Sequence, residues 1–214
     1  MPIMMPQMPD ILRDETLEDA VALAVHEGRD VETCRFYGEQ MPDMTGETLE
    51  FSGCRFEKCV FRPCGAERLI FVDCEFHHCD LSGMLFEKAT LQRVSFRDCR
   101  MRGTQFSESP LMNVAFYNCQ MDMASFADLK AQHIEFDGCG MKECGFFRFR
   151  WQDWKMRSCV LQAAEIHETA LRGLDVTRCD IGGMTVDLPA VRGMRVTEAQ
   201  ALQLSALLGL NVVQ

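Results

Sequence analysis

The sequence predicts an all-β solenoid of about eight coils, and two periods in it carry that prediction. Apolar residues recur at every fifth position. Phe51, Phe56, Phe61, Phe71, Phe76, Leu81, Phe86, Leu91, Phe96 and Met101 belong to a series that runs back to Val31 and on to Val196. Its small exceptions are Gly46, Ala66 and Ala131, and thirteen of the fifteen phenylalanines lie in it. A period of five is neither the 3.6 of a helix nor the 2 of a strand. The second period is twenty. Cys59, Cys79, Cys99, Cys119, Cys139, Cys159 and Cys179 are spaced by 20, Cys34, Cys54 and Cys74 form a second such run, and all twelve cysteines precede a member of the apolar series by two residues. A coil of four five-residue sides, stacked on its neighbours, produces both periods. Phe36, Phe56, Phe76, Phe96, Phe116 and Phe136 then form one column of rings.

Units such as "CRFEK", "CEFHH", "VSFRD", "VAFYN" and "CDLSG" resemble the pentapeptide-repeat family over about residues 30 to 197. The resemblance implies a right-handed quadrilateral β-helix over residues 29–197. It also implies that the central residue and the one two before it point inward, and that the other three face solvent.

The stretch "CRFEKCVFRPC" looks like a metal or disulfide cluster. Stacked parallel strands are about 4.8 Å apart, and a disulfide needs Cβ atoms nearer 3.8 Å. Zinc needs four converging ligands, which a straight ladder does not supply. The cysteines therefore read as small buried core residues. His77 and His78 face outward in this register while Cys79 faces inward, so they share no ion. No phosphate loop, nucleophile elbow or HExxH motif is present. No catalytic residue, cofactor or metal is expected.

Two segments break the monotony. In "GFFRFRWQDW", residues 145–154, Phe149 and Trp154 take inward positions usually held by small residues. The favoured reading is a fatter stretch of core. The alternative is a partner-facing patch of Phe147, Arg148 and Arg150. At the C-terminus, Thr197-Glu-Ala-Gln200 is a capping box, which predicts a helix over Glu198–Leu208 with Gly209 as its cap and a short strand over Leu210–Val213. One apolar face covers the open end of the solenoid; the other needs a partner, which a symmetric copy provides. Residues 198–214 thus read as a dimerisation element, with Leu202, Leu207, Leu210 and Val212 at the interface.

At the other end, residues 1–13, with three prolines and four methionines, read as loosely ordered. Residues 14–28 read as a cap helix, with Leu17, Val21, Ala24 and Val25 at helical spacing and Asp14 or Thr16 as cap. The alternation of Val21, Leu23 and Val25 leaves an extra strand as the alternative.

Composition bounds the function. No apolar run approaches a membrane helix, no signal peptide is visible, and twelve cysteines without an export signal point to the reducing cytoplasm. The net charge of −10 argues against direct binding to nucleic acid or anionic membrane and permits binding to a basic partner. Residues 1–80 hold 17 acids and 7 bases, whereas residues 81–214 hold 15 of each. The ending "LRGLDVTRCDIGGMTVD", a short amphipathic helix and "LGLNVV" are similar to the quinolone-resistance (Qnr) subgroup; the uninterrupted register is similar to its mycobacterial relatives. That similarity implies a homodimer joined at this ending, whose acidic rod imitates duplex DNA and engages DNA gyrase or topoisomerase IV. The alternative is a scaffold with an unknown partner. An enzyme is disfavoured, because a filled solenoid has no internal pocket where titratable groups converge.

Overall fold

Each coil is turned by the residue two places after the apolar one. Nineteen non-glycine residues, from Thr33 to Glu168, have φ between 49° and 61°, and all nineteen occupy this place in the five-residue unit. Asp73, His78, Gly83 and Lys88 are four successive corners of a single coil. A left-handed residue with a Cβ costs roughly 1–2 kcal/mol, so the corners persist only because stacking holds them.

The computed structural model describes residues 3–209 as a parallel β-solenoid. Two sheets wrap it. One runs in the order Arg13–Asp14, Cys34–Tyr37, Arg55–Glu57, Arg68–His77, Thr90–Arg97, Leu111–Tyr117, Lys130–Asp137 and Arg150–Arg157, with Val31–Glu32 and Thr48–Ser52 beside it. The other stacks Leu85–Glu87, Gln105–Ser107, Ser125–Ala127, Gly145–Phe147, Glu165–His167 and Thr185–Val186. The register is twenty throughout, as in Phe76↔Phe96, Phe96↔Phe116 and Phe116↔Phe136. A third line of bridges passes through Gln40, Val60, Asp80, Arg100, Gln120, Gly140, Val160 and Asp180. Those eight rungs belong to about nine turns in all.

The interior is filled by stacked rings. Phe76 and Phe96 lie 4.7 Å apart, Phe96 and Phe116 5.0 Å, and Phe116 and Phe136 4.8 Å, with their planes within 17° of parallel. A second column, Phe86, Phe106, Phe126 and Phe146, repeats at 4.9 Å. Rings of different columns meet edge to face, as Phe126 and Phe136 do at 87°. Both geometries suit the ring quadrupole.

The residue two before each ring is more than a small filler. The Cys79 thiol donates to Phe56 O at 3.3 Å, Cys99 to Phe76 O at 3.4 Å and Cys119 to Phe96 O at 3.5 Å. Where the residue is Thr104, Ser109 or Thr169, its hydroxyl bonds the equivalent carbonyl of the preceding coil. Cys, Ser and Thr therefore interchange at this position where a donor is present, while Val94, Val114 and Ile134 fill it without one. Burial pushes the Cys144 thiol up to about 12, and the stacked Cys139 thiol, then burial, push Cys159 to about 12. Such thiols stay protonated and act as donors.

The bulky segment departs from the repeat. Phe149 and Trp154 are buried and pack on each other and on Phe146. Trp151, a member of the inward series, is displaced to a half-buried position beside Trp154, and its Nε1–H donates to Ala170 O at 2.7 Å. Two indoles do not fit one cross-section of the coil.

Both ends are capped. Helix α1, Leu17–Glu27, starts at Thr16, whose side chain accepts from Asp19 N, and ends at Gly28 with φ 62°. It buries Leu17, Ala20, Val21 and Ala24 over the first coil. Helix α2, Glu198–Ser205, has the full capping box at Thr197 and Gln200, and Ala206–Leu208 continue as a tighter 3-10 turn. Its buried residue, Gln200, also donates its amide to Val176 O and Cys179 O, each at 2.8 Å, and so satisfies carbonyls of the last coil.

The N-terminal segment, expected to be loosely ordered, lies against the solenoid. Residues 3–12 run as a strap along one corner of the solenoid. Met4 N–H donates to Asn113 Oδ1 at 3.0 Å and Gln7 N–H to Asp73 Oδ1 at 2.8 Å. Pro9 packs 3.3 Å from where a Cβ on Gly53 would lie, which any larger residue would obstruct. Arg13 N–H then donates to Thr33 O, and Arg13–Asp14 joins the first sheet. Asn113, Asp73, Gly53 and Thr33 are all left-handed corner residues, so their polar groups stand clear of the ladder and meet the strap. Asp73 also takes two bonds of 2.6 Å from Arg93. Burial opposes its ionisation, but the Arg93 guanidinium and the Gln7 N–H hold its carboxyl below the usual range.

Replacing Phe96 with Ala opens a gap in the ring column and is expected to cost about 3–5 kcal/mol in urea unfolding. Arg97, which lies over the Tyr117 ring at 4.3 Å, should cost at most about 1 kcal/mol on replacement by Ala. Equal losses would contradict the assignment of inside and outside. Because the folded carboxyl of Asp73 is depressed, its stabilisation is present above its ordinary unfolded pKa and is lost as pH falls through the folded value. The stability gap between the native protein and Asp73→Asn should therefore be largest near neutral pH and shrink on acidification. A gap independent of pH would refute the carboxylate's role.

Candidate interaction surface

Since rings fill the interior, chemistry must act from the outside, and the outside is organised by the same register. Residues twenty apart lie directly above one another, so opposite charges at that spacing pair between coils. Arg55 meets Glu75 at 2.9 Å and Arg93 meets Asp73 at 2.6 Å, and the rings of His133 and His167 hydrogen-bond Asp153 and Asp187 at the same spacing, each at 2.9 Å. Arg157 reaches Glu135 at 3.3 Å and Arg195 reaches Asp175 at 3.3 Å. Hydrogen bonds from His167, then from Glu168 N–H, hold the Asp187 carboxyl below its usual range. Exposed pairs contribute roughly 0–1 kcal/mol each. Over residues 81–214 the numbers of acids and bases are equal, so the rod carries no net charge there.

The N-terminal coils carry the excess of acid, with 17 acids and 7 bases over residues 1–80. Asp30, Glu32, Glu47, Glu50, Glu67 and Glu87 make no ion pair among the described residues. Burial, then the neighbouring Asp30 and Glu32, push the Glu50 carboxyl up. Glu47, Glu67 and Glu87 are a column spaced by twenty, a signal visible in the sequence that the cysteine and phenylalanine series overshadowed.

The aromatic patch is not the free surface that the sequence allowed. Phe147 is half-buried, its ring lies over Gly145, where a Cβ would come within 2.2 Å of it, and it stacks on the His167 ring at 6.0 Å. Arg148 bonds Asp128 through Nη2 at 2.6 Å and Glu168 at 3.4 Å, so its charge is already matched. Arg150 alone of the three stands exposed without an ion pair.

The expected core column, Phe36 through Phe136, is fully buried, and Cys59 to Cys179 are buried along their ladder. His77 lies 3.5 Å from Glu75 rather than near Cys79, and among the described residues no group of three His, Cys, Asp or Glu side chains is placed to hold a metal. No helix among the described residues is long and apolar enough to cross a membrane.

At the C-terminal end, Leu202 and Leu208 are 56% and 58% exposed. Leu207, also expected at a dimer interface, is half-buried and packs with Leu204 against the hydrophobic core. Leu210 and Val212, and the strand expected there, lie outside the described residues. Gln200 as an end plug was missed: its box role is legible, but which carbonyls it reaches depends on how α2 docks.

The family model described as the pentapeptide repeat region matches residues 47–116 and 69–146. None of the curated proteins matches the chain. Among solved structures, a trypsin-treated variant of QnrB1, a plasmid-mediated fluoroquinolone resistance protein, is 21% identical over 87% of this chain and 91% of its own, with a TM-score of 0.38. Full-length QnrB1 is 19% identical over 82% of this chain and 97% of its own, with a TM-score of 0.34. HetL from the cyanobacterium Nostoc, a pentapeptide repeat protein involved in heterocyst differentiation regulation, is 10% identical over 82% and 92%, with a TM-score of 0.37. The five-residue register, the four-cornered coil and the matched repeat region agree, and the chain is a pentapeptide-repeat protein.

Proposed function

We propose that the chain is a non-catalytic interaction protein whose acidic N-terminal coils dock on a basic protein surface, and that this surface is one that type II topoisomerases, DNA gyrase or topoisomerase IV, use to hold duplex DNA. The observation that carries this reading is the uneven distribution of charge. Residues 81–214 hold 15 acids and 15 bases, while residues 1–80 hold 17 acids and 7 bases, and Asp30, Glu32, Glu47, Glu50 and Glu67 there make no ion pair among the described residues. Unpaired carboxylates held at fixed spacing on a rigid solenoid attract a cationic surface with little ordering cost. The pattern favours an acidic tip over a continuous acidic stripe, so we place the contact at the N-terminal coils rather than along the whole length. Eight rungs at about 4.8 Å make a rod of roughly 40 Å. We further propose a homodimer joined at the C-terminal ends through Leu202 and Leu208, which leaves both acidic tips free.

Light scattering separates the assembly from the function. The full-length protein is expected to be a dimer and a chain ending at Val196 a monomer; a monomeric full-length protein or a dimeric truncation would refute the interface. In a gyrase supercoiling assay with and without a fluoroquinolone, micromolar protein should inhibit supercoiling or change drug-dependent cleavage. Replacing Glu32 and Glu50 by Lys should weaken the effect. No effect in either assay would remove the topoisomerase reading and leave a scaffold for another basic partner.

A further inference from the structure

One side of the solenoid is not zipped between two consecutive coils. At one corner, successive coils are tied by Gly83 N–H to Arg102 O, Gly103 to Asp122 O, Met123 to Lys142 O, Glu143 to Gln162 O and Ala163 to Gly182 O. The equivalent residue one coil earlier is Pro63, which has no N–H to give. The next tie also fails. Gln105 N–H reaches Met84 O, and Ser125, Gly145, Glu165 and Thr185 do the same one coil on each time, but Cys64 O accepts from Met44 N–H at 2.7 Å instead of from Leu85. Glu67 and Arg68 N–H likewise turn to Glu47 O. The second sheet therefore ends at Leu85–Glu87. By the alternation of a parallel ladder, the N–H and C=O of Leu85 and Glu87 point at the Pro63–Glu67 segment. None of them is bonded across to it.

The seam is a groove of about 320 Å³ lined by Pro63, Ala66, Glu67, Leu85, Glu87 and neighbouring residues. Its floor is low because Ala66 stands where the coils above have Phe86, Phe106 and Phe126. Leu85 on its wall is 45% exposed, and the carboxylates of Glu67 and Glu87 on its rim have no ion pair. An unpaired edge strand that is neither bulged nor covered is a template for another strand.

We propose that this seam binds an extended segment of a partner protein, which adds as a strand along Leu85–Glu87. The pleat sets the segment's chemistry. One side chain lies outward beside Leu85 and is apolar. The next points inward over Ala66 and is small and apolar. The third lies outward between Glu67 and Glu87 and is Lys or Arg. Lys88 at the adjoining corner opposes a second base immediately after. The inference goes beyond the charge-based docking above and does not rest on it, since it is read from backbone hydrogen bonding.

The test uses the full-length protein and a positional-scanning library of acetylated, amidated hexapeptides, read by fluorescence anisotropy. The expected selection is apolar, small apolar, basic at consecutive positions. The selected peptide should slow amide exchange at Leu85 and Glu87. Its affinity should fall by about tenfold or more when Glu67 and Glu87 are both replaced by Lys, and stay unchanged in Glu165→Lys, on the same side but several coils away. Pro63→Ala, which restores the missing donor and lets the seam close, should also weaken binding; it provides an independent reading if the double variant does not fold. The proposal is overturned if no such triad is selected, if the selected peptide binds the folded double variant equally well, or if exchange at Leu85 and Glu87 does not change. Because none of these readouts involves gyrase, loss of the topoisomerase reading leaves the seam untouched, and the reverse.

Discussion

The spacing of about 4.8 Å between stacked parallel strands is the constraint on which this molecule depends. Every coil must present to the next the shape it receives from the one before. Ring therefore falls on ring, as at 4.7–5.0 Å from Phe76 to Phe136. The same spacing brings a small donor at the preceding inward position to the carbonyl of the coil below, whether that donor is Cys99, Thr104 or Ser109. It also stabilises a left-handed conformation at the corners that no isolated residue with a Cβ favours. Each coil contacts only its neighbours, so the solenoid is built from one local rule applied repeatedly.

A molecule built from one repeated rule is informative where the rule fails. The ends fail first, since a terminal coil would expose rings and unpaired carbonyls. Helix α1 covers one end with Leu17, Ala20, Val21 and Ala24, and Gln200 closes the other with two amide hydrogen bonds. The third failure is internal. A proline at a corner, followed by Gly65 and Ala66, releases one side of one coil while the other sides stay in register. Trp151 marks a fourth, where bulk rather than a missing donor distorts the section.

The charges follow the same logic. Twenty residues separate stacked positions, so Arg93 lies on Asp73 and Arg148 on Asp128. Such pairs hold neighbouring coils in register and cancel the field. What the rod offers to another molecule lies in the remainder: carboxylates with no cation on the adjacent coil, and backbone groups with no strand beside them. Both concentrate in the N-terminal half, and Glu67 and Glu87 belong to both sets.

By itself the sequence determined the solenoid, its period, its inward columns and its helical caps. Each of these is local or strictly periodic, and thirteen phenylalanines in one register leave no other way to bury them. Only the tertiary structure decided the rest, because it depends on where non-periodic residues come to lie. The strap at residues 3–12 has no periodicity; its order comes from Asn113 and Asp73, more than sixty residues away in the chain. Leu207 packs half-buried against the core at the tightened turn after Ser205. Arg148 is neutralised by two acids, each twenty residues from it. Pro63 reads in the sequence as an ordinary turn residue. It becomes a gap only when the coil above brings Leu85 and Glu87 to it and no donor meets them, since a missing hydrogen bond is a property of two coils together.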